Sequence, residues 1–359
     1  MIPRVTATID LAAIRHNLGV VRGSAPSSKV MAAIKADAYG HGAVPVARAL
    51  EDHVDAFAVA CLEEALVLRE ARVRAPLALL EGILSVEEAR LTLRHGLQVV
   101  VHDHWQLEML EALPRGARVS LWVKLDSGMH RLGFPLADVP GLWRRIQARP
   151  DWEFLGWITH LACADEPDNP ATREQLESFG RALAGLPGAR SIANSAGLIA
   201  WPQARADWVR PGLMLYGASP LPGRTGADLG LKPAMRLESR LIAVRDYAQG
   251  AAIGYGATWR CPEPMRVGVA AVGYADGYHR SLPAGTPVMV RDRRVAMVGR
   301  VSMDMITLDL RAAPDSRLGD PVLLWGGALP VEDIAARAGT VAYELLCGLT
   351  QRVRFVHSG

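Results

Sequence analysis

The chain has 359 residues, enough for two domains or for one barrel with a smaller domain beside it. Half of the residues are hydrophobic and 21% are charged, which excludes a disordered, collagen-like or coiled-coil protein. The formal net charge is +3, from 40 basic and 37 acidic residues, and this balance predicts neither a nucleic-acid-binding nor a membrane-binding surface.

The cysteines and the N-terminal residues indicate in which cellular compartment the protein is expected. Cys61, Cys163, Cys261 and Cys347 are far apart, which predicts neither a disulfide framework nor a zinc site. The first residues lack the basic start and apolar core of a signal peptide. Apolar runs stay well below the roughly 20 residues of a membrane span. We therefore expect a cytoplasmic protein.

From residue 10 to residue 218, short apolar runs alternate with helical periodicity. Asp10 is the expected N-cap of the first helix, because apolar residues follow it at spacings of three or four. Ser85 with Glu88, and Thr172 with Gln175, have capping-box spacing and predict two further helix starts.

The same region contains eight candidate strands. Their continuous apolar character is typical of strands buried on both faces, and hence of a parallel sheet. Eight βα units over about 200 residues predict a (β/α)8 barrel, with a doubly wound open sheet as the second choice. The candidate strands are Val30–Ile34, Phe57–Ala60, Leu77–Leu80, Leu97–Val101, Val119–Val123, Phe154–Ile158, Ser191–Ala193 and Val209–Tyr216.

The pattern changes after about residue 225. Short β-like runs broken by Gly, Pro and Asp predict a mostly antiparallel β domain, with helices over Val331–Ala338 and Tyr343–Leu349. We therefore divide the chain into a barrel, 10–225, and a β domain, 226–359, which the strand 1–9 joins. The β-like runs are Leu241–Arg245, Arg266–Val272, Pro287–Arg291, Arg294–Val298, Ile306–Leu310 and Pro321–Trp325.

Polar residues follow five of the predicted barrel strands. The C-terminal ends of barrel strands carry the catalytic groups of such enzymes, because the βα loops build that face. Five strands that end in this way are hard to explain by turns alone, so we expect a site at this end of the barrel. The residues are Lys35 after strand one, Lys124, Asp126 and Arg131 after strand five, His160 after strand six, Asn194 and Ser195 after strand seven, and Arg210 with Gly212 at strand eight.

Lys35 is one of four lysines in the chain and closes an apolar strand. An amine at a buried strand end is costly to charge, which suits Schiff-base chemistry. The alternative is a lysine whose ammonium reaches the solvent at the rim. Position alone does not decide between them. Tyr39, next to Gly40, adds a hydroxyl and a tight backbone turn that favour a nearby anionic ligand.

Residues 34–42, IKADAYGHG, resemble the pyridoxal-phosphate attachment motif of the alanine racemase family. Further blocks that resemble the family follow in the same order and cover both domains. The resemblance implies a pyridoxal-phosphate-dependent isomerase that interconverts L-alanine and D-alanine by two-base proton transfer. These blocks are 124–133 (KLDSGMHRLG), 159–160 (TH), 194–195 (NS), 210–217 (RPGLMLYG), 254–258 (GYGAT), 273–277 (GYADG) and 299–304 (GRVSMD).

The resemblance also implies roles for single residues. Lys35 is expected to hold the cofactor and to act as one base. Tyr255 is expected to act as the other, supplied by the partner subunit of a head-to-tail homodimer. Arg210 would face the pyridine nitrogen and, because arginine stays protonated, leave that nitrogen unprotonated and suppress transamination.

The remaining expected contacts fall into three groups. Tyr39, Ser195 and the Gly212 N–H would bind the phosphate, with Asn194 and Tyr216 also at the cofactor and His160 against its ring. Arg131 and the Met303 N–H would bind the substrate carboxylate. Tyr274, Arg280, Arg300 and Asp304 would line or support the approach. Lys124 is either a carbamylated residue that orients Arg131 or one half of a surface pair with Asp126.

Two positions depart from the family pattern. Gln351 stands where many members have a tyrosine, which leaves strict restriction to alanine open, and Asp37 stands where asparagine is common. A broader amino-acid racemase is therefore one alternative. A pyridoxal-phosphate decarboxylase of similar architecture would need a catalytic cysteine block, and a non-catalytic carrier would not need Tyr255. A metal site is disfavoured, because His41, His130 and His160 lack ligand spacing.

Overall fold

A computed structural model describes residues 3–359. Eight parallel strands close into a barrel, because β5 pairs with β6 as well as with β4. This confirms the predicted (β/α)8 barrel, and each strand overlaps or adjoins a predicted apolar run. Only the eighth strand is much shorter than its predicted run, Val209–Tyr216, because residues 213–216 form a 3-10 turn. The barrel strands, numbered along the chain after β1 (Thr6–Asp10), are β2 (Lys29–Ala33), β3 (Ala56–Val59), β4 (Leu77–Leu79), β5 (Gln98–Val101), β6 (Val119–Asp126), β8 (Trp152–Ile158), β9 (Ala189–Ser191) and β10 (Trp208–Val209), and the short β7 (Phe134–Pro135) pairs with the end of β6.

Helices cover the outside of the barrel, and the one that follows β2 is unusual because part of it is left-handed. The helices are α1 (Leu11–Ser24), α2 (Lys35–Gly40), α3 (Ala43–Leu50), α4 (Leu62–Glu70), α5 (Val86–Arg94), α6 (His104–Glu111), α7 (Val139–Gln147), α8 (Ala171–Ala182) and α9 (Ser195–Ala200), with 3-10 turns at Glu51–His53, Leu136–Asp138, Pro202–Ala204 and Leu213–Tyr216.

The predicted helix starts have different outcomes. Asp10 is confirmed as the N-cap of α1, because its carboxylate accepts the Ala13 N–H at 2.9 Å. Ser85 is confirmed as the N-cap of α5, but the Glu88 carboxylate accepts the N–H of Leu84 rather than that of Ser85. The capping box at Thr172 is wrong: α8 begins at Ala171, and Thr172 is buried inside the helix.

Small and large side chains together fill the barrel interior. Ala56, Ala58 and Ala78 leave room for Trp122, and Met31, Val100 and Ile158 complete this cluster. The barrel is therefore a packed core rather than a pore, which confines a ligand site to its ends.

A second, mostly antiparallel sheet follows, as predicted, in the order β14-β17-β16-β15-β18-β11-β1-β19. It curls because the long strand β11 pairs with both β14 and β18. The six predicted β-like runs fall in β11 and β14–β18, whereas β12, β13 and β19 were not predicted. The elements are β11 (Met235–Tyr247), β12 (Ala252–Ile253), β13 (Trp259–Arg260), β14 (Met265–Ala270), β15 (Pro287–Val290), β16 (Arg293–Val298), β17 (Ile306–Asp309), β18 (Pro321–Trp325), α10 (Val331–Ala338), α11 (Ala342–Cys347), β19 (Arg354–Ser358), and 3-10 turns at Ala227–Leu229, Tyr255–Ala257 and Tyr274–Asp276.

Strand β1 belongs to this second sheet, where it pairs antiparallel with β11 and parallel with β19. Asp10 ends β1, which belongs to the second sheet, and caps α1, the helix that leads to the first strand of the barrel. The chain therefore passes from the second sheet to the barrel at Asp10. The division of the chain at residues 225 and 226 stays a prediction.

Among residues 3–359, the helices are too short or too polar to cross a membrane.

We expect Asp10→Ala to lower the free energy of unfolding by about 1 kcal/mol, because the Ala13 N–H loses its acceptor. Asp10→Asn is the matched control, since its amide oxygen can accept the same hydrogen bond. Urea unfolding followed by circular dichroism measures both. Equal midpoints for Asp10→Ala and Asp10→Asn would contradict the capping role.

Candidate active site

One cavity of about 790 Å³ lies at the C-terminal ends of the barrel strands, within the range of about 300–1,000 Å³ typical of small-molecule sites. The structure brings many of the predicted residues together around it. These are Lys35, Tyr39, Lys124, Arg131, His160, Asn194, Ser195, Arg210 and Gly212.

Lys35 is followed by a left-handed turn. The four residues Ala36–Tyr39 all have φ between 51° and 54°, although none is glycine. Such a conformation costs roughly 1–2 kcal/mol per residue. Lys35 precedes the turn and Tyr39 ends it, and both line the cavity.

Tyr39, Ser195 and Gly212 form a cradle on one wall of the cavity. A Cβ at Gly212 would lie 2.6 Å from the Tyr39 hydroxyl, so a side chain there would fill the cradle. The Ser195 hydroxyl accepts the Gly212 N–H at 2.9 Å, and Ser195 is the first residue of α9. Asn194 fixes this helix start, because its side chain accepts the Gly197 N–H at 2.9 Å. Hydroxyls and backbone N–H groups at a helix start are the donors that suit a phosphate.

Tyr216 lies behind this cradle rather than on the cavity wall. Its hydroxyl donates to the Ala33 carbonyl at 2.8 Å, and its ring centroid is 4.9 Å from that of Tyr39. It therefore supports Tyr39 from the protein side.

Arg210 is buried, and its guanidinium ties two strand ends together. It donates to the Ser191 hydroxyl at 2.7 Å and to the carbonyls of Thr159 and Ile192 at 2.5 and 3.2 Å. Burial lowers the pKa of Arg210 to about 10, so the guanidinium is still charged at neutral pH. Among the residues that line the cavity it contacts His160, whose Nδ1 is 3.3 Å from Nη2. Burial and then the Arg210 charge hold the pKa of His160 well below its usual value, so His160 is neutral and accepts this bond.

Lys124 is close to other cations. Burial and then the charges of Arg210, Arg131 and Lys35 lower the pKa of Lys124 to about 8, although Asp126 opposes this. A simple surface pair is wrong: among the described residues the Asp126 carboxylate is hydrogen-bonded to the His130 ring, at 3.0 Å, and no ion pair joins it to Lys124. Burial raises the pKa of Asp126, but hydrogen bonds from His130 and Gly128 outweigh it and lower the pKa.

The cavity is therefore strongly positive. Glu81, at the mouth, is the one acidic side chain among the lining residues that the structure describes. Low-polarity walls with charge of one sign concentrate ligands of the opposite sign. The arrangement suits a phosphate and a carboxylate.

Gln175 connects two loops of the site, a role that the sequence analysis missed. Its amide donates to the His160 carbonyl at 3.0 Å and to the Ser127 hydroxyl at 3.2 Å, and it accepts the Ala162 N–H at 2.9 Å. The available signal was helical periodicity, because Thr172, Gln175 and Phe179 share one buried face of α8. A buried glutamine on an apolar face has to find partners in the neighbouring loops.

The sequence analysis also missed part of the cavity wall. Tyr343 and Cys347 reach the cavity from α11, and the Tyr343 ring centroid is 5.7 Å from that of Tyr39. A spacing of four residues places Tyr343 and Cys347 on one face of a helix. Only the packing of α11 against α2 shows that this face lines the cavity. Glu81, His102 and Trp105 complete the wall at the ends of β4 and β5.

The predicted residues of the β domain lie outside this cavity. Tyr255 is 67% exposed, on the turn between β12 and β13, and a small apolar cluster that includes Ile253 and Cys261 anchors this turn. Tyr274 and Met303 are also exposed and are held together by backbone hydrogen bonds between residues 274–275 and 302–303.

The remaining residues of this group are exposed or half-buried. Arg300 lies beside the Tyr255 turn, since its guanidinium is close to Gly256. Asp304 is ion-paired with Arg352 at 2.6 Å. Arg280 is exposed, and so is Gln351, which does not line the cavity in the part of the chain that the structure covers. Asp37 accepts the Ala43 N–H at 2.6 Å, a bond that an asparagine oxygen could also accept.

Comparisons with known proteins agree on one family. The family model for the N-terminal domain of alanine racemase matches residues 9–220, and the model for the C-terminal domain matches residues 234–357. The chain is 53% identical to an alanine racemase of Nitrosococcus oceani, over 97% of each chain. It is 49% identical to one of Halorhodospira halophila, over 97% of this chain and 96% of the relative.

Solved structures give the same result. The crystal structure of the biosynthetic alanine racemase from Pseudomonas aeruginosa matches with a TM-score of 0.96 at 47% identity and covers 100% of both chains. The alanine racemase from Acinetobacter baumannii matches with a TM-score of 0.94 at 36% identity, over 99% of this chain and 100% of that one.

We expect Gln175→Met to lower the free energy of unfolding by about 1–3 kcal/mol, because the partly buried hydrogen bonds of the Gln175 amide to the Ala162 N–H and the His160 carbonyl are lost. Thr172→Val is the matched control on the same face of α8. Thr172 is fully buried and, within residues 3–359, its hydroxyl has no hydrogen-bond partner, so its removal should leave the free energy of unfolding unchanged or raise it. Denaturant unfolding compares the two variants, and equal losses would contradict the network.

Proposed function

The chain belongs to the alanine racemase family, and from this we propose that it interconverts L-alanine and D-alanine with bound pyridoxal phosphate. One observation carries the proposal: the Lys35 amine, the cradle of Tyr39, Ser195 and Gly212, and the buried Arg210 all face a single positive cavity. These are the groups that the cofactor would need for its aldehyde, its phosphate and its ring nitrogen.

The chain's own residues fit the cofactor. Lys35 would hold it through the ε-amine, and the Tyr39 and Ser195 hydroxyls with the Gly212 N–H would bind its phosphate. Pyridoxal phosphate, when bound, stabilises the negative charge left on the α-carbon when a proton is removed. His160 and Asn194 line the same wall, and Tyr216 braces Tyr39.

Arg210 is suited to donate a hydrogen bond to the ring nitrogen and to keep its own proton. Hydrogen bonds to Ser191 and Thr159 hold the guanidinium in one orientation. A charged donor that does not give up its proton would limit delocalisation into the ring and so suppress transamination. Comparable rates of transamination and racemisation would contradict this role.

Substrate binding would use the positive charge at the mouth of the cavity. Arg131 lines the cavity and is suited to bind the α-carboxylate in a bidentate manner. Met303 would add its backbone N–H from the partner subunit. Lys124 lies near Arg131, and its lowered pKa leaves part of the amine neutral near pH 8, the form that carbamylation requires.

Racemisation needs one proton-transfer group on each face of the α-carbon. Lys35 would serve one face. The cavity walls of the described chain include no Tyr255, and this tyrosine stands exposed on an anchored turn. We infer a homodimer in which the partner subunit's Tyr255 serves the second face. The exposed apolar side chains of Tyr274, Met303 and Met305 would be buried in that interface.

A broader amino-acid racemase is the second candidate. Gln351 stands where many family members have a tyrosine, and because Gln351 does not line the cavity, it does not take the place of that tyrosine's hydroxyl. A substrate panel of alanine, serine and larger amino acids separates the two. A decarboxylase is less well supported: it would need a catalytic cysteine block in place of the Tyr255 block, and Cys261 is instead buried in the apolar cluster beneath the Tyr255 turn, while Cys347 lines the cavity from α11. The cytoplasmic location stays a prediction.

We expect purified protein with pyridoxal phosphate to convert L-alanine to D-alanine and, after borohydride reduction, to carry a pyridoxyl group on Lys35. Lys35→Ala should lose the label and reduce turnover by on the order of 10³-fold or more. Lys29→Ala is the matched control, because Lys29 starts the strand that Lys35 follows and lies over the Trp208 ring. A label on any other residue would contradict the assignment.

Mixed dimers test the shared site directly. Lys35→Ala and Tyr255→Phe should each be almost inactive, but their heterodimer has one site with both residues intact. Refolding or co-expression of equal amounts should restore about one quarter of wild-type activity, since about half of the dimers are mixed and each has one intact site of two. If Lys35 and Tyr255 of the same chain worked together, mixing would restore nothing.

A further inference from the structure

The left-handed turn after Lys35 needs something to hold it. Each of Ala36, Asp37, Ala38 and Tyr39 has a positive φ that side chains disfavour, and such backbone persists only where the surroundings over-determine it. At its start, the Glu64 carboxylate accepts the N–H groups of Ala36 and Ala60, each at 2.7 Å.

His41 holds the other end of the turn. Its Nδ1 lies 2.9 Å from the Tyr39 carbonyl oxygen and 3.1 Å from the Ala38 carbonyl oxygen. Carbonyl oxygens only accept hydrogen bonds, so Nδ1 must carry the proton. The ring is completely buried, and burial lowers the pKa of His41 to about 4, which keeps the imidazole neutral during turnover.

The His41 ring is itself held in place. It stacks on the Tyr216 ring with centroids 4.5 Å apart, and the Tyr216 hydroxyl is anchored on the Ala33 carbonyl of the strand that leads to Lys35. The His357 ring donates to the His41 carbonyl at 2.8 Å. His41 Nε2 is buried and has no hydrogen-bond partner in the described chain, so the Nδ1–H bond is the polar contact that its ring makes there.

We propose that His41 is a positioning residue: its Nδ1–H holds the Ala38 and Tyr39 carbonyls in the left-handed turn and thereby fixes the Tyr39 hydroxyl beside Gly212 and the Lys35 amine in the cavity. The inference rests on the proposed function for the meaning of Lys35 and Tyr39. His41 exchanges no proton with substrate in this role. We call these two hydrogen bonds, from the His41 Nδ1–H to the Ala38 and Tyr39 carbonyls, the His41 clamp. Loss of the clamp would loosen both the phosphate cradle and the position of the Lys35 amine.

Two substitutions separate the clamp from simple packing. The amide nitrogen of His41→Asn falls where Nδ1 is and can donate to the same carbonyls, whereas that of His41→Gln falls near Nε2 and cannot. For the holoenzyme, we expect His41→Gln to raise the Kd for pyridoxal phosphate and to lower kcat, each by about 10-fold, with a smaller change in KM for L-alanine. His41→Asn should recover most of both losses, and neither variant should shift the pH profile.

Asp320→Ala controls for a general loss of stability, because it removes the acceptor of the Arg291 guanidinium and the Arg317 N–H in the β domain, outside the cavity wall, and should leave the cofactor Kd unchanged. If His41→Gln fails to fold, His41→Leu takes its place, because leucine has the shape of asparagine but no donor for the two carbonyls. Glu64→Ala removes the acceptor of the Ala36 N–H at the start of the turn and should also raise the cofactor Kd. The proposal is overturned if His41→Asn is as impaired as the variant without a donor, or if Glu64→Ala binds the cofactor normally. Cofactor titration by absorbance remains informative even if the wild-type protein fails to racemise alanine, which would instead refute the proposed function.

Discussion

The buried guanidinium of Arg210 is the constraint around which the site is built. A charge without a carboxylate partner is expensive to bury, and it is tolerated here because a hydroxyl and two carbonyls accept its protons. Those acceptors lie at the ends of two adjacent strands, so the guanidinium also fixes the spacing of the loops that follow. His160 must then be neutral, because a second cation at 3.3 Å would be repelled.

The same charge has consequences across the cavity. Lys35, Lys124, Arg131 and Arg210 converge on one space, and their mutual repulsion contributes to the lowered pKa of Lys124. An anionic ligand relieves this repulsion, so its binding and the stability of the barrel end are linked. On the proposed function the phosphate would act as that counter-ion.

The sequence contained most of the architecture but only part of the site. Buried parallel strands appear as apolar runs, and residues such as His160 and Ser195 could be assigned to the cavity because barrel geometry places strand ends on one face. Contacts between distant segments leave no such pattern. Gln175 has the spacing of a capping residue, and only the fold shows that its amide connects the loops after β6 and β8. The left-handed turn was equally hidden, since Ala36–Tyr39 contains no glycine.

The arrangement of the two halves of the chain limits what one subunit can do. Lys35 is set by the barrel and by the turn that His41 clamps, whereas Tyr255 is set by a turn anchored in a separate apolar cluster of the β domain. If the site is shared, Lys35 and the partner subunit's Tyr255 belong to different chains. The packing of the two subunits then determines the distance between the two proton-transfer groups. The cofactor cradle and the second base are then structurally independent, because no strand or helix contributes to both. Changes at the subunit interface would act on the Tyr255 side of proton transfer while leaving the phosphate contacts intact, whereas changes in the left-handed turn would disturb the phosphate contacts and the Lys35 amine together.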